Sequence, residues 1–467
     1  MDFMDNISKK IIDVRKGKNI SQRKLSDLTN VEQSTIAKIE LNKTMPRVDT
    51  LMKILDVLGI EIKIAHPLYG IVDFYKGSGT LEHQSENDVQ YEITQFVNGT
   101  ILVQMELKNF GELLKSGISL HINSKRKRIK LSNILINNSN IKFIKDKGLT
   151  STYTINPKNI DILIKDTDID NLKYEFHLTN FTFEKDFELT INNLKIQFKK
   201  IDHYKEILEQ LERFKNVNIT AKLIIQSNSI TKEIEKEVQS LCDLISFYQG
   251  NCINWIKYIV YNEDDIVKIV HRRSITKNFN SFQVVKDLPF PDCEYGTKEA
   301  IEKTFENYEN NKEIWKLNNV IYSLNDGKIE GDYLELRGLK IAISMEILKF
   351  AYIKKSNLDK DDKFTFVLKK IISELNLDIH PDEVKKFVKI RNALVHTGSY
   401  LKENPHLNNY AFNQYKLLMN FANKLILGIL NYKGYFLDYS KEYGYISPDM
   451  EMRQLFKYKD GSNKGEF

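Results

Sequence analysis

"ISQRKLSDLTNVEQSTIAKIELNKTMPRVDTLMKILDVLGI", residues 20–60, sets the frame for the rest of the chain. Ser21 stands where a helix N-cap belongs, its hydroxyl placed to accept a free N–H of the first turn. It starts a short helix over 22–28. A tight turn through Asn30 leads into a second helix, 32–40. Pro46 precedes a third, 47–58, because proline fits the start of a helix but not its interior. On the second helix Ile36 and Ile39 point inward with Val31, while Gln33, Ser34, Ala37 and Lys38 face out. Small polar groups on the outer side suit insertion into the DNA major groove.

The stretch resembles the Cro/lambda-repressor-like (XRE) helix-turn-helix family over about residues 7–60. "SQRKLSDLTNVEQSTIAKIELNK" carries a glutamine at the head of the family's second helix. It also carries a Ser-Thr pair on the third helix and the Ile-Glu pair that ends it. Departures are Ser26 for the usual alanine, and Asn30 and Asn42 for the usual glycines; asparagine tolerates left-handed backbone, so both turns stay feasible. The resemblance implies a double-stranded DNA partner, with Gln33, Ser34 and Lys38 at base edges and Gln22 at a phosphate. The alternative is a small helical bundle used only to bind protein.

A chain of 467 residues is expected to hold two or three domains. Its hydrophobic fraction of 42% supports real cores, and 28% charged residues fit a soluble protein. Gly (20) and Pro (8) are scarce, which argues against long flexible linkers. Cys242, Cys252 and Cys293 are too few and too scattered for a disulfide framework or a zinc site, so a reducing cytoplasm is expected. "MDFMDNISKK" lacks the apolar core of a signal peptide, and no uncharged apolar run approaches membrane-helix length. No membrane partner is expected. The formal charge of +6 permits a nucleic-acid partner without requiring one. Neither cofactor nor metal is expected: Gly77 and Gly79 lack a phosphate-loop lysine, and His121, His177, His203 and His271 lack ligand spacing.

The fold class expected is multidomain α+β. Residues 1–65 are a small all-α unit. Residues 66–230 are β-rich, a sandwich or barrel-like sheet with a sensing or regulatory role. "VQYEITQF", "GTILVQMEL", "STYTI", "KYEFHLTNFTFEKDFELTI" and "LKIQFKKI" alternate apolar and polar residues there. A helix near 203–214 and a strand near 217–226 close that region. Residues 231–445 read as helical, over 231–262, 297–316, 333–355, 363–376, 381–396 and 407–432, with a strand-like "DIVKIVHRR" between. Residues 446–467 are a tail. The run "SKRKRIK" (124–130) reads as an exposed strand edge protected by its charges. The tyrosines from Tyr432 to Tyr445 read as packing over the last helix, with base stacking as the alternative.

"KIRNALVHTGSY", residues 389–400, breaks the bland pattern. At 100° per residue, Val384, Phe387, Val388, Leu394 and Val395 form an apolar stripe with Arg391 at its centre. Lys385, Lys389, Asn392 and His396 take the opposite face. A charge on an apolar stripe is costly unless paired, and Glu346, inside "IAISMEILKFAY", is its natural ion-pair partner. Taken alone, the stretch is a structural salt bridge and a solvated face.

"RNALVH" nevertheless has the form of the R-x4–6-H motif of the HEPN superfamily, with the polar residue that often follows its arginine. The helices around it follow the same order. "VNITAKLIIQ" and "LCDLISFYQGN" resemble the ApeA-like HEPN proteins of bacterial antiviral defence, over roughly 66–432. The resemblance implies a C-terminal all-α HEPN bundle and a metal-independent endoribonuclease, working as a homodimer or higher even oligomer with an RNA substrate. Arg391, Asn392 and His396 would be catalytic, and Lys385 and Lys389 would contact RNA. RNA brings its own nucleophile, the 2′-hydroxyl. An imidazole suits its deprotonation or the protonation of the leaving oxygen, and a guanidinium suits the charge growing on phosphorus. Arg391 and His396 point about 140° apart on one ideal helix, so they converge only through a helix break near Thr397–Gly398 or across a two-fold axis. The alternative function is a transcriptional regulator whose HEPN domain dimerises or binds RNA without cleaving it.

Overall fold

The computed structural model describes residues 3–41, 43, 48–58, 70–81, 84–107, 120–124, 127–132, 135–144, 148–165, 171–227, 231–274, 279, 282–285, 296–401, 410–439 and 451–454. They divide into two units, 1–65 and 66–467.

The first unit is four helices: α1 (Phe3–Gly17), α2 (Gln22–Thr29), α3 (Gln33–Glu40) and α4 (Val48–Leu58). Ser21 caps α2 as expected, its hydroxyl accepting from the Lys24 N–H at 3.1 Å. Asn30 ends α2 in the left-handed region, φ 53°, a backbone state that asparagine accepts at little cost. Asn42 and Pro46 lie outside the described residues. Ile11, Leu25, Val31, Ile36, Ile39 and Leu51 close the core with Ile54, Leu55 and Leu58 from α4. Complete burial of each Leu or Ile contributes about 1.5–3 kcal/mol.

In the second unit the strands come in the order β1 (Ile71–Leu81), β2 (Gln84–Phe96), β3 (Ile101–Leu107), β4 (Leu120–Ser124), β5 (Lys127–Ser132), β6 (Leu135–Ile144) and β7 (Gly148–Asn156). Then follow β8 (Asn159–Leu163), β9 (Leu172–Thr179), β10 (Phe187–Ile191), β11 (Leu194–Lys200), α5 (Tyr204–Phe214) and β12 (Ile219–Ser227). After α6 (Thr231–Gln249) come β13 (Trp255–Asn262) and β14 (Asp265–Arg272). These strands form one antiparallel sheet in the order β10-β11-β12-β9-β13-β14-β8-β5-β4-β1-β2-β3-β7-β6. It is barrel-like rather than a sandwich in its middle. Gln95 of β2 donates to the Ile256 carbonyl of β13 at 2.6 Å, folding the sheet over an apolar filling of Ile93, Val103, Ile129, Ile162 and Ile269.

The helices α7 (Thr297–Asn311), α8 (Leu317–Asp326), α9 (Leu334–Ser356), α10 (Phe364–Glu374), α11 (Pro381–Thr397) and α12 (Tyr410–Ile429) complete the unit with the short pair β15 (Tyr435–Asp438) and β16 (Glu451–Gln454). Phe176, Leu223 and Tyr258 of the sheet belong to the same core as Leu241, Leu324, Met345 and Leu425 of the helices.

That shared core corrects the boundary expected at 230/231 and the all-α reading of 231–445. Residues 255–262, expected to continue a helix, are β13, paired with β9 and β14. A strand at the middle of a sheet is covered on both faces, and Trp255 to Val260 are all buried. Such a strand lacks the alternation that marks a half-exposed one. α8 was absent from the expected helices although Leu317, Val320, Ile321 and Leu324 keep helical spacing and are buried. "SKRKRIK" is no edge: β4 and β5 lie between β1 and β8, and Lys125 and Arg126 are outside the described residues. The expected tail holds β16, which pairs with β15. Tyr432 and Tyr439 are buried, with hydroxyls on the carbonyls of Tyr435 and Gln283; Tyr443 and Tyr445 are not among the described residues.

Candidate nucleic-acid interfaces

On α3 the outward side is as expected: Gln33, Ser34 and Lys38 are exposed and Ala37 half-buried, while Ile36 and Ile39 are buried. Ser34 donates to the Glu32 carboxylate at 3.3 Å, just before the helix. Gln22, expected at a phosphate, donates one amide N–H to Glu40 at 2.8 Å.

Glu40 is the hub of a network that the sequence pattern left unread. The Arg15 guanidinium meets its two oxygens at 2.6 and 2.8 Å, and also donates to the Ile20 carbonyl at 2.8 Å. Both residues are buried. Burial alone would raise the Glu40 carboxyl's pKa, but the bonds from Arg15 and Gln22 override it and hold the group below its ordinary value. The fork ties α1, α2 and the end of α3 together, so the angle at which α3 is presented rests on it. The available signal was Glu40's place beside Ile36 and Ile39 on the inward stripe.

Replacing Gln33 and Ser34 together by alanine is expected to relax sequence preference in duplex selection, at about 1–3 kcal/mol per lost base contact, while leaving the fold intact. Unchanged selectivity across a randomised duplex library would reject α3 as the reading helix.

The second candidate lies on α11, which starts in a capping box of His380 and Glu383 with Pro381 in its first turn. It runs unbroken to Thr397 and ends on Gly398 at φ 68°, the left-handed state that glycine adopts freely. The break is therefore after His396, not between it and Arg391, and the two side chains leave the helix about 140° apart.

Arg391 pairs with Glu346 of α9. Its Nη1 donates to Asn392 Oδ1 at 2.8 Å, and its guanidinium lies 5.1 Å from the centre of the Phe364 ring. Its Nε, buried, has no hydrogen-bond partner among the described residues. Arg391 sits at the rim of the apolar stripe rather than its centre. Val384, Phe387, Ile390 and Leu394 are buried, whereas Val395 is 43% exposed. At Gly338 of α9, Leu394 and Tyr400 come close to the backbone. A Cβ there would stand 2.2 Å from the Tyr400 hydroxyl and 2.8 Å from Leu394 Cδ1.

His396, Lys385, Lys389 and Asn392 are exposed, as expected for the polar face. Lys385 pairs with Asp382 at 3.0 Å. Asn392 is turned to Arg391, not to His396. Around the ion pair is apolar surface that nothing among the described residues covers: Ile343 and Phe350, one turn either side of Glu346, are 47% and 56% exposed. Among the described residues no group of His, Cys, Asp or Glu is placed to hold a metal, and no helix is long and apolar enough to cross a membrane.

Residues 11–64 match the helix-turn-helix family model. Over 56 residues, 12% of this chain, the sequence is 41% identical to an uncharacterised HTH-type transcriptional regulator of Haemophilus influenzae. The matched part spans 57% of that relative's length. No solved structure matches the chain. The N-terminal unit is thus an XRE-type helix-turn-helix domain.

Proposed function

We propose that the chain is a cytoplasmic prokaryotic endoribonuclease of the HEPN kind, of defence or toxin type, whose helix-turn-helix domain regulates its own promoter or senses DNA. It acts as a homodimer. The observation that carries this reading is the uninterrupted α11. One chain cannot bring Arg391 and His396 to one phosphate, yet the apolar surface around Arg391, with Ile343, Phe350 and Val395 exposed, is what a second copy would cover. Across a two-fold axis, Arg391 of one chain meets His396 of the other. The RNA 2′-oxygen attacks phosphorus, the 5′-oxygen leaves, His396 carries the proton for one of these steps, and Arg391 stabilises the phosphorane charge. Asn392 holds the guanidinium, and Lys385 and Lys389 lie on the face that carries His396.

The second reading, a transcriptional regulator whose helical part only dimerises or binds RNA, draws on the Haemophilus relative's name and on the Arg391–Glu346 pair, which is sufficient reason for a structural arginine. One double variant separates them. Apolar replacement of a buried pair is often neutral for folding, so Arg391→Met with Glu346→Leu is expected to keep the wild-type circular dichroism and thermal midpoint. If Arg391 serves the transition state, purified double variant incubated with total RNA leaves it intact while wild type degrades it. Full cleavage by the folded double variant would end the catalytic assignment.

A further inference from the structure

The register of β11, β12, β9 and β13 lines up side chains that the proposed chemistry does not use. Phe198, Leu223, Phe176 and Tyr258 point into the core, so their neighbours in each strand share the opposite, outer face. There Lys199 lies opposite Lys222 and Lys222 opposite His177; the next residue across, Lys257 of β13, is buried and lies beyond the open part of the face. Lys199 and Lys222 are basic groups directly across from one another, an arrangement that by itself destabilises a sheet. Glu175 meets both Lys222 at 3.1 Å and His177 at 3.0 Å, and Asp73 meets Lys257 at 2.6 Å. Lys199 and Lys173 have no ion-pair partner among the described residues.

Beside that row is a shallow pocket of about 220 Å³ lined by Lys173, Lys195, Lys199, Gln197, Gln226 and Ile224, with no carboxylate in its wall. Lys195 also meets Glu188 at 2.8 Å, outside the lining. At one edge of the face Lys173 lies 5.0 Å from the centre of the Tyr261 ring.

We infer that this outer face binds a single strand of RNA through its phosphates. From Lys199 on β11 to Lys173 on β9 is two strand spacings across and four residues along β9, about 16 Å in all, too long for a lone phosphate group. Lysines tracking a backbone, with an aromatic ring and an aliphatic patch for bases to rest on, are how single strands are held without sequence reading. The choice of RNA over DNA rests on the ribonuclease reading; the polyanion site does not.

The test uses the full chain carrying His396→Ala, so that binding is measured whether or not the wild type cleaves. The helix-turn-helix domain is the same in every variant and so cancels from the comparison, and a labelled single-stranded RNA oligonucleotide is titrated by fluorescence anisotropy. Adding Lys173→Gln and Lys199→Gln is expected to weaken binding about tenfold at 0.1 M salt and to flatten the plot of log K against log salt by about 1.4, at about 0.7 per phosphate lost. The control pair Lys298→Gln and Lys354→Gln, on exposed positions of α7 and α9, is expected to change neither. Wild-type affinity and slope in the Lys173/Lys199 variant, or an equal loss in the control, would overturn the site. If the sheet variant loses binding and wild type cleaves no RNA, this inference stands and the ribonuclease reading fails.

Discussion

Chains carrying Arg391→Ala, mixed with chains carrying His396→Ala, are expected to regain about a quarter of wild-type RNA cleavage, although neither variant cleaves alone. Loss of a general acid or base costs about 10²–10⁴ in rate and loss of a transition-state charge stabiliser about 10²–10³, so each homodimer falls to about a hundredth of wild type or less. With random exchange half of the dimers are mixed. Each mixed dimer joins one chain's intact arginine to the other's intact histidine, and its second site lacks both; half of the dimers with half of their sites makes the quarter. Two affinity tags allow the mixed dimer to be isolated and assayed, where the expected activity is about half of wild type. A verified heterodimer without activity would reject the shared site. The unbroken α11 then leaves no route by which Arg391 and His396 act together.

The second large effect concerns stability. Glu40→Ala leaves the Arg15 guanidinium buried without its counter-charge, and it removes the acceptor of Gln22. Breaking one partner of a buried pair costs about 3–5 kcal/mol; the pair lies near the surface of a small unit, with side chains 11% and 5% exposed, so the lower figure is expected. Even that is a large part of what a domain of this size possesses. Hydrogen exchange on the full chain is expected to show protection lost in α1 to α3. Both tryptophans, Trp255 and Trp315, belong to the second unit, so the fluorescence transition is expected to stay where it is. Acid should mimic the substitution. The Glu40 carboxyl is held below its ordinary value, so its contribution is complete above the unfolded-state pKa and fades as pH falls through the lower folded one. Unaltered protection in Glu40→Ala would show that the fork contributes nothing.

The helices of the DNA-binding unit could be read from residues alone because their signals are local. Ser21 caps, Asn30 turns, and Ile36 and Ile39 repeat at helical spacing, all within one or two turns of chain. The same holds for α11, whose capping box and Gly398 stop bracket it, and for the alternating strands of the sheet's exposed parts. The partner of Arg391 was also within reach, since few carboxylates interrupt the apolar helix that carries Glu346. Other features depended on contacts between segments far apart in sequence. β13 is a strand because β9 and β14 cover its edges and cores cover its faces, a condition that erases the alternation by which strands are recognised. Arg15 and Glu40 meet across 25 residues, a pairing that no periodicity encodes. Val395 is turned out, and Leu394 rather than Arg391 is packed against α9 at Gly338, a choice between two sides of one helix that only the packing makes. The lysines of the outer face, Lys199 on β11, Lys222 on β12 and Lys173 on β9, come together only once register sets three separate strands side by side. Local propensity acts along the chain and is written in it; register, helix rotation and buried ion pairs are settled by which surfaces exclude water together, and that was decided by the tertiary fold.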